Sequence, residues 1–413
     1  MDETGAHLSS VWATATDLQI ERGVRCTVVD VNGHEYLDFT GGLGAASTGF
    51  AHPKVAAAIA EQAGRIIHSQ INVYHHDLLQ PLVEKLGEIT PEGIDTFYFG
   101  STSDEIVESA VKLAKHATGR RNVIAFDGAF HGRTHYALAM SSSRAIDRAG
   151  YGPLPGGVFV APFPDPHASD QEREVSRALR GLDRIMSTQV AAEKVAAFVI
   201  EPVIGERGYI PTPKGFVEGL ARRCEDHGIL LIADETQSGF GRTGRMFAIE
   251  ALGVQPDILC MAKGIASGFP FAALGTLRAF DERWVTGSHS GSSNGNPIGC
   301  AAALATIEVL QEPGFLDNVR ARGDQLIDSL RDMQQLDQAL LHVRGRGLMV
   351  ATEFVSPDRA KAVVDHCFRQ HNVILMLAGT HRRTIRWSPP LIVTQAEIDE
   401  ATSAFSAAIR ATG

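Results

Sequence analysis

Cysteine is scarce and scattered in this chain. Five residues, Cys26, Cys224, Cys260, Cys300 and Cys367, stand among 413, and no two of them form a CxxC pair. An odd, dispersed set excludes a disulfide framework and a zinc site as the organising feature, and predicts reduced thiols in a cytoplasmic setting. Long apolar runs are missing too: none approaches the ~20 residues that a membrane-crossing helix needs. The opening MDETGAHLSS has no basic stretch followed by an apolar one, so no secretory signal is expected. Positive charge is in deficit, with 38 Lys and Arg against 48 Asp and Glu. The net charge of −10 leaves no basic face for nucleic acid or an anionic membrane. No internal repeat or low-complexity tail is evident. Apolar residues, by contrast, make up 44% of the chain, enough for a large core divided over more than one domain.

The apolar residues fall into a readable order. CTVVDVNGHEYLDF holds two short runs around Asn32-Gly33, a strong hairpin signal. DEIVESAVKLAKHATG reads as a helix with Ile106, Ala110, Leu113 and Ala117 on one face, Glu108 and Lys112 as an i,i+4 pair, and Gly119 as its stop. Short apolar runs then alternate with helical segments: NVIAF (122–126), helix 171–187, VAAFVIEPV (195–203), helix 215–227, GILLIAD (228–234) and DILCMA (257–262). That alternation predicts an α/β fold with a parallel sheet. YGPLPGGVFVAPFPDPH (151–167) reads as an irregular loop. After about residue 300 a long helix, IGCAAALATIEVL, is followed by further helix and short strands near 346–354 and 373–377, which suggests a smaller α+β domain.

Two charges at strand ends draw the eye. The apolar run in GILLIADETQSGFGRTG finishes on Asp234, and DILCMAKGIASGFP places Lys263 just past another, 29 residues on. Ligands of open α/β sheets sit at the carboxyl ends of strands. A buried carboxylate needs a cationic or donor partner, and a buried lysine loses its proton readily and becomes a nucleophile. The pair suits pyridoxal 5′-phosphate, with Lys263 as the Schiff-base amine and Asp234 on the protonated pyridine nitrogen. Spacing alone equally admits an ordinary ion pair or two unrelated loop residues.

Taken in order, DETQSGFGRTG, AKGIASGFP, FHGRTHYALAM, EPVIGERG, GNPIGCAAALATI and IRWSPPLIVT resemble the class III (ω-amino acid) aminotransferases of pyridoxal-phosphate fold type I, from about residue 20 to the end. The similar enzymes include 4-aminobutyrate, acetylornithine and ornithine aminotransferases. It implies a large domain with a mainly parallel seven-stranded sheet and a small α+β domain. The expected division is an N-terminal segment 1–45 packing with the small domain, a large domain 46–305 and a small domain 306–413.

The resemblance also implies roles. Lys263 is the Schiff-base and proton-shuttle residue, and Asp234 pairs with the pyridine nitrogen. Gln237 reaches the phenolic oxygen, Phe130 stacks on one ring face with His131 beside it, and Val203 sits near the other face. Thr102, Ser103 and Asp104 fall in the phosphate loop, where this chain has Ser101-Thr102-Ser103-Asp104-Glu105 in place of the family's Asn-Ser-Gly pattern. The loop keeps backbone N–H groups at a helix start, and Asp104 also reads as that helix's N-cap. Ser292, before GNP, would bind the phosphate of a neighbouring subunit, so a homodimer or dimer of dimers is expected. Arg133 would grip a donor's distal carboxylate and Arg386 the α-carboxylate of 2-oxoglutarate, each through the planar guanidinium fork. Glu206 would gate Arg386. Arg207, where the family has glycine, would compete for Glu206. Leu43 of TGGLG lies near the substrate or simply packs.

The implied reaction is transamination between an ω-amino acid, 4-aminobutyrate first, and 2-oxoglutarate. Acetylornithine, ornithine or another amino donor is the alternative. A remoter alternative is a dinucleotide-dependent oxidoreductase, on the formal GxGxxG of GFGRTG, although that fingerprint should open a helix directly after a strand. His131 and His135 share i,i+4 spacing, but Gly132 opposes a helix and no third ligand is apparent, so no metal is expected.

Overall fold

The fold is seen in a computed structural model that describes residues 7–413; the first six residues of MDETGAHLSS lie outside it. At the centre is a seven-stranded sheet. Its strands are β1 (Thr96–Gly100), β2 (Asn122–Phe126), β3 (Val158–Ala161), β4 (Val195–Ile200), β5 (Leu230–Asp234), β6 (Ile258–Met261) and β7 (Ala272–Thr276), in the order β1-β7-β6-β5-β4-β2-β3. Neighbours pair in parallel except β7, which runs antiparallel to both β6 and β1.

The strands read as continuous apolar runs because both faces are covered. Along β2, Val123 and Ala125 pack with Ile106, Ala110 and Leu113 of α1 (Ser103–Thr118). Ile124 and Phe126 face the other way, against Leu179 and Leu182 of α2 (Gln171–Thr188) and Phe216 and Leu220 of α3 (Lys214–His227). The buried face of α1 is the one its periodicity marks, and Gly119 caps it in the left-handed region at φ 68°. The ion pair expected between Glu108 and Lys112 does not form. Glu108 instead accepts from the hydroxyl of Thr134 and the N–H of Tyr136, and Lys112 bonds His289 at 2.8 Å. Tertiary partners outweigh an exposed pair of a few tenths of a kcal/mol.

The stretch 151–167 is a second correction, since it contains edge strand β3. The 28–38 hairpin forms as read. Thr27–Asp30 pairs antiparallel with Glu35–Asp38, Gly33 takes φ 85°, and Asp30 Oδ1 accepts from the N–H groups of Asn32 and His34. A strand from the far end of the chain, Val373–Ile374, adds in parallel to Glu35–Asp38. A separate antiparallel sheet orders Leu340–Arg346, Met349–Phe354, Thr384–Trp387 and Met376–Ala378. Among the described residues no helix is long and apolar enough to cross a membrane.

Candidate active site

The carboxyl ends of five parallel strands feed one cavity. Its lining comprises Ser103 beyond β1, Phe130 and His131 beyond β2, Glu201 and Glu206 beyond β4, Asp234, Thr236 and Gln237 at β5, and Lys263 beyond β6. Asp234 is 4% exposed, and its Oδ2 lies 2.8 Å from His131 Nδ1 while Oδ1 accepts from the N–H of Thr236 at 3.1 Å. Burial presses on the charged form of His131, but the Asp234 carboxylate raises its pKa above the ordinary value. Two residues past β6, Lys263 adopts φ 49°, a left-handed backbone that L-residues take only where surroundings impose it. Burial pushes its amine down to about 8, with Glu206 opposing that shift and Arg386 assisting it. An amine near 8 carries a neutral fraction of about a tenth at pH 7, far more than an ordinary lysine, and that fraction is the nucleophile or base.

Beside the lysine lies a buried ion pair. Arg386 Nη1 meets Glu206 Oε1 at 2.6 Å, with Arg386 nearly sealed from solvent. Burial works against the charge on each. The partner wins, holding Glu206 below its usual range and Arg386 above its own. Gln237 Nε2 donates to the same Glu206 oxygen at 3.4 Å. Arg207 does not compete for Glu206. Its Nη1 donates to the Asp127 carbonyl at 3.2 Å, with the Asp127 carboxylate 3.5 Å away, because its side chain runs across Gly128. Arg133 lies over Phe130, 5.4 Å from the ring centroid, and is half exposed with Nη1 3.0 Å from Asp147 Oδ1.

At the opposite end of the cavity α1 presents its N-terminus. Thr102, not Asp104, is the N-cap: its hydroxyl accepts from the N–H of Glu105 at 3.3 Å. Asp104 sits two positions further in, where Oδ2 accepts from the N–H of Arg133 at 3.0 Å and Oδ1 from the Ser103 hydroxyl at 3.2 Å. The carboxylate is thus turned onto the FHGRT loop. Thr102, Asp104, Arg133 and Arg386 border the lining without forming part of it, and three further expected residues lie outside it. Val203 packs against Tyr209, Met349 and Ala351; Leu43 stands 42% exposed at φ 63°; Ser292 is exposed on the 286–296 loop. The GFGRTG segment opens no α-helix, since only the short 3-10 turn Ala248–Leu252 follows. His135 is exposed while His131 is committed to Asp234.

Two lining residues escaped the sequence reading. Glu201 ends apolar β4 just as Asp234 ends β5, so the same signal points to it; burial raises its carboxyl to about 7. Thr236 lies between Asp234 and Gln237, and a short polar residue there carries no signal of its own. Buried polar atoms on the lining, His131 Nε2, Thr236 Oγ1 and Gln237 Oε1, have no hydrogen-bond partner among the described residues. Together with an amine, a carboxylate at its back, an aromatic wall and a helix N-terminus, they form a donor set suited to pyridoxal phosphate.

The model of the aminotransferase class-III family matches residues 8–409. The chain belongs to the class III aminotransferases. A class III enzyme of this kind is pyridoxal-phosphate dependent, and its sheet order and small domain are those of fold type I. It is 39% identical to the 5-aminovalerate aminotransferase of Pseudomonas putida over 92% of this chain and 91% of that one. It is 37% identical to the 4-aminobutyrate aminotransferase of Escherichia coli over 94% and 92%. An amine transaminase of an uncultivated Pseudomonas species, solved in its pyridoxal-phosphate-bound form, superposes with TM-score 0.91 at 27% identity, covering 100% of this chain and 98% of that one. With the aminotransferase class in hand, the oxidoreductase reading of GFGRTG falls away.

Proposed function

We propose that this aminotransferase moves the amino group of an ω-amino acid, 4-aminobutyrate first among them, to 2-oxoglutarate in two alternating half-reactions. The observation that carries the reading is the Glu206–Arg386 pair, a sealed cation next to Lys263 whose carboxylate cover is itself on a turn. When covered, Arg386 attracts no substrate carboxylate, which favours a donor whose amino carbon carries none. When Glu206 swings off, the fork is free for the α-carboxylate of the acceptor. The names of the 5-aminovalerate and 4-aminobutyrate relatives agree with such a donor.

Pyridoxal phosphate supplies, when bound, the aldehyde that receives the amino group and the ring that draws electrons from the Cα bond. The chain's own groups do the rest. Asp234, oriented by His131, would hold a proton on the ring nitrogen. Lys263 Nζ takes the Cα proton and returns it. Phe130 would cover one ring face, Gln237 would orient the phenolic oxygen, and Ser103 with the α1 N-terminus would hold the phosphate; Thr102 and Asp104 shape that loop. Val203 supports the gate turn from beneath. Ser292 serves the phosphate of a partner subunit, so the unit is a homodimer working in the cytoplasm. The division 1–45, 46–305 and 306–413 belongs to the same reading.

One observation favours a second donor class. The guanidinium of Arg133 is half exposed and tied to Asp147, which leaves the distal end of the site open to longer donors such as acetylornithine or ornithine. An absorbance spectrum of the pyridoxal-phosphate-loaded protein decides between them. 4-Aminobutyrate should bleach the cofactor band and 2-oxoglutarate should restore it. Bleaching by acetylornithine but not 4-aminobutyrate would replace the donor, and no bleaching by any amine would end the transaminase mechanism assigned to these residues.

A further inference from the structure

Glu201 is a buried carboxylate that the reaction as described does not use. It follows β4 directly and is 6% exposed. Its two oxygens go to two different loops: Oε1 accepts from the N–H of Phe130 at 2.9 Å, and Oε2 from the N–H of Gly205 at 2.8 Å. Phe130 forms the aromatic wall, and Gly205 immediately precedes Glu206, the cover of Arg386. The carbonyl of Gly205 accepts in turn from the N–H groups of Gly208 and Tyr209, which closes the gate turn. A Cβ at Gly205 would meet Gln237 Oε1 at 2.3 Å, so the Gln237 amide end packs directly against this turn. One side chain therefore joins two loops that have no backbone ladder between them.

We propose that Glu201 is a positioning residue that ties the aromatic platform at Phe130 to the gate turn at Gly205–Glu206, so that the two are held as one unit. The inference rests on the preceding reading only in calling those segments platform and gate. The chemistry of the tie is specific. An ionised carboxylate accepts from both N–H groups at once, and such charge-assisted bonds are strong in a buried site. A protonated one must aim its O–H at a group that is itself a donor, so one loop is released. The charged groups around Glu201 are His131 from the loop after β2, Asp234 at the end of β5 and Lys263 after β6. Burial raises its carboxyl to about 7, with His131 opposing and Asp234 adding to the shift. Both loops are therefore held above that pH, and the tie loosens as pH falls through it.

The test is backbone amide hydrogen exchange, read by mass spectrometry, on the pyridoxal-phosphate-loaded enzyme and its Glu201→Leu variant. The variant keeps much of the bulk but removes both acceptors, so neither N–H donor keeps its partner. Exchange should rise about tenfold in both peptides, 127–133 and 203–208, with strand 195–200 unchanged. A rise in only one peptide, or in neither, overturns the proposal, and a rise spread over 195–200 as well marks a structural role instead. If the variant does not fold, the unaltered enzyme decides. After correction for intrinsic exchange, protection of at least one of the two peptides should fall with a midpoint near pH 7 while 195–200 stays protected, whereas no change in either would refute the tie. Neither readout depends on which amine the enzyme uses, so a failed donor assignment and a failed tie remain distinguishable.

Discussion

At the scale of single residues the site is an exercise in holding charges where water does not compensate them. Lys263 is the clearest case. With its amine near 8, the neutral fraction rises with pH, so capture of pyridoxal phosphate by the stripped protein should accelerate roughly tenfold between pH 7 and pH 9. Stopped-flow absorbance reads that rate. Glu206 holds the Lys263 pKa up, so Glu206→Gln should move the midpoint downward, and an unmoved midpoint would deny the coupling. Lys263→Ala should reduce turnover to background. Arg386→Ala should slow the 2-oxoglutarate half-reaction by about 10- to 100-fold, the worth of a charged hydrogen-bonded contact, while sparing the donor half-reaction. Equal losses in single-turnover measurements of both halves would contradict the gate. Asp234 and Lys263 were legible because a charge closing an apolar strand has few structural reasons to be there. Glu201 carries the same mark, but its partners are backbone N–H groups of two loops, which no motif spacing announces. Arg207 misled because sequence proximity to Glu206 says nothing of direction: its side chain leaves toward Asp127.

At the scale of elements, legibility followed burial pattern. β2, β4, β5 and β6 are apolar on both faces and flanked by helices, so each was visible. β7, AALGT, has the weak strand formers Ala and Gly, and runs against its neighbours where alternation implies a parallel strand. β3 was concealed by prolines on either side, which an edge strand tolerates. The α1 terminus shows how local chemistry outlives a changed motif. Thr102 caps the helix and the Glu105 carboxylate accepts from the N–H of Ser101 at 2.8 Å, so the loop is organised without the family's glycine. Thr102→Ala should cost about 1 kcal/mol in urea unfolding. It should also weaken phosphate affinity, since the frayed turn is the one that faces the cavity. Unchanged stability would mean that Glu105 alone organises the turn.

At the scale of the whole molecule, one cation joins three distant segments. Arg242, 2% exposed, donates through Nη1 to the carbonyls of Leu348 at 3.1 Å and Pro389 at 2.5 Å, and through Nη2 to Gly44 at 3.5 Å. Burial lowers its pKa to about 10, and among the described residues no carboxylate pairs with it. Replacing it with Leu strands those carbonyls and should destabilise the fold by about 2–4 kcal/mol, read as a lower urea midpoint. A loss below ~0.5 kcal/mol would show that water takes its place. The hairpin at residues 27–38 has a consequence in time. Its outer partner is Val373–Ile374, and the N–H groups of Leu37 and Phe39 bond to the carbonyls of Asn372 and Ile374 at 2.9 and 3.0 Å. On a ribosome adding ~5–20 residues each second, those partners emerge roughly 20–70 s after the hairpin. For that interval the nascent chain carries an open strand edge, and a message truncated anywhere upstream of codon 372 yields a polypeptide that never closes it.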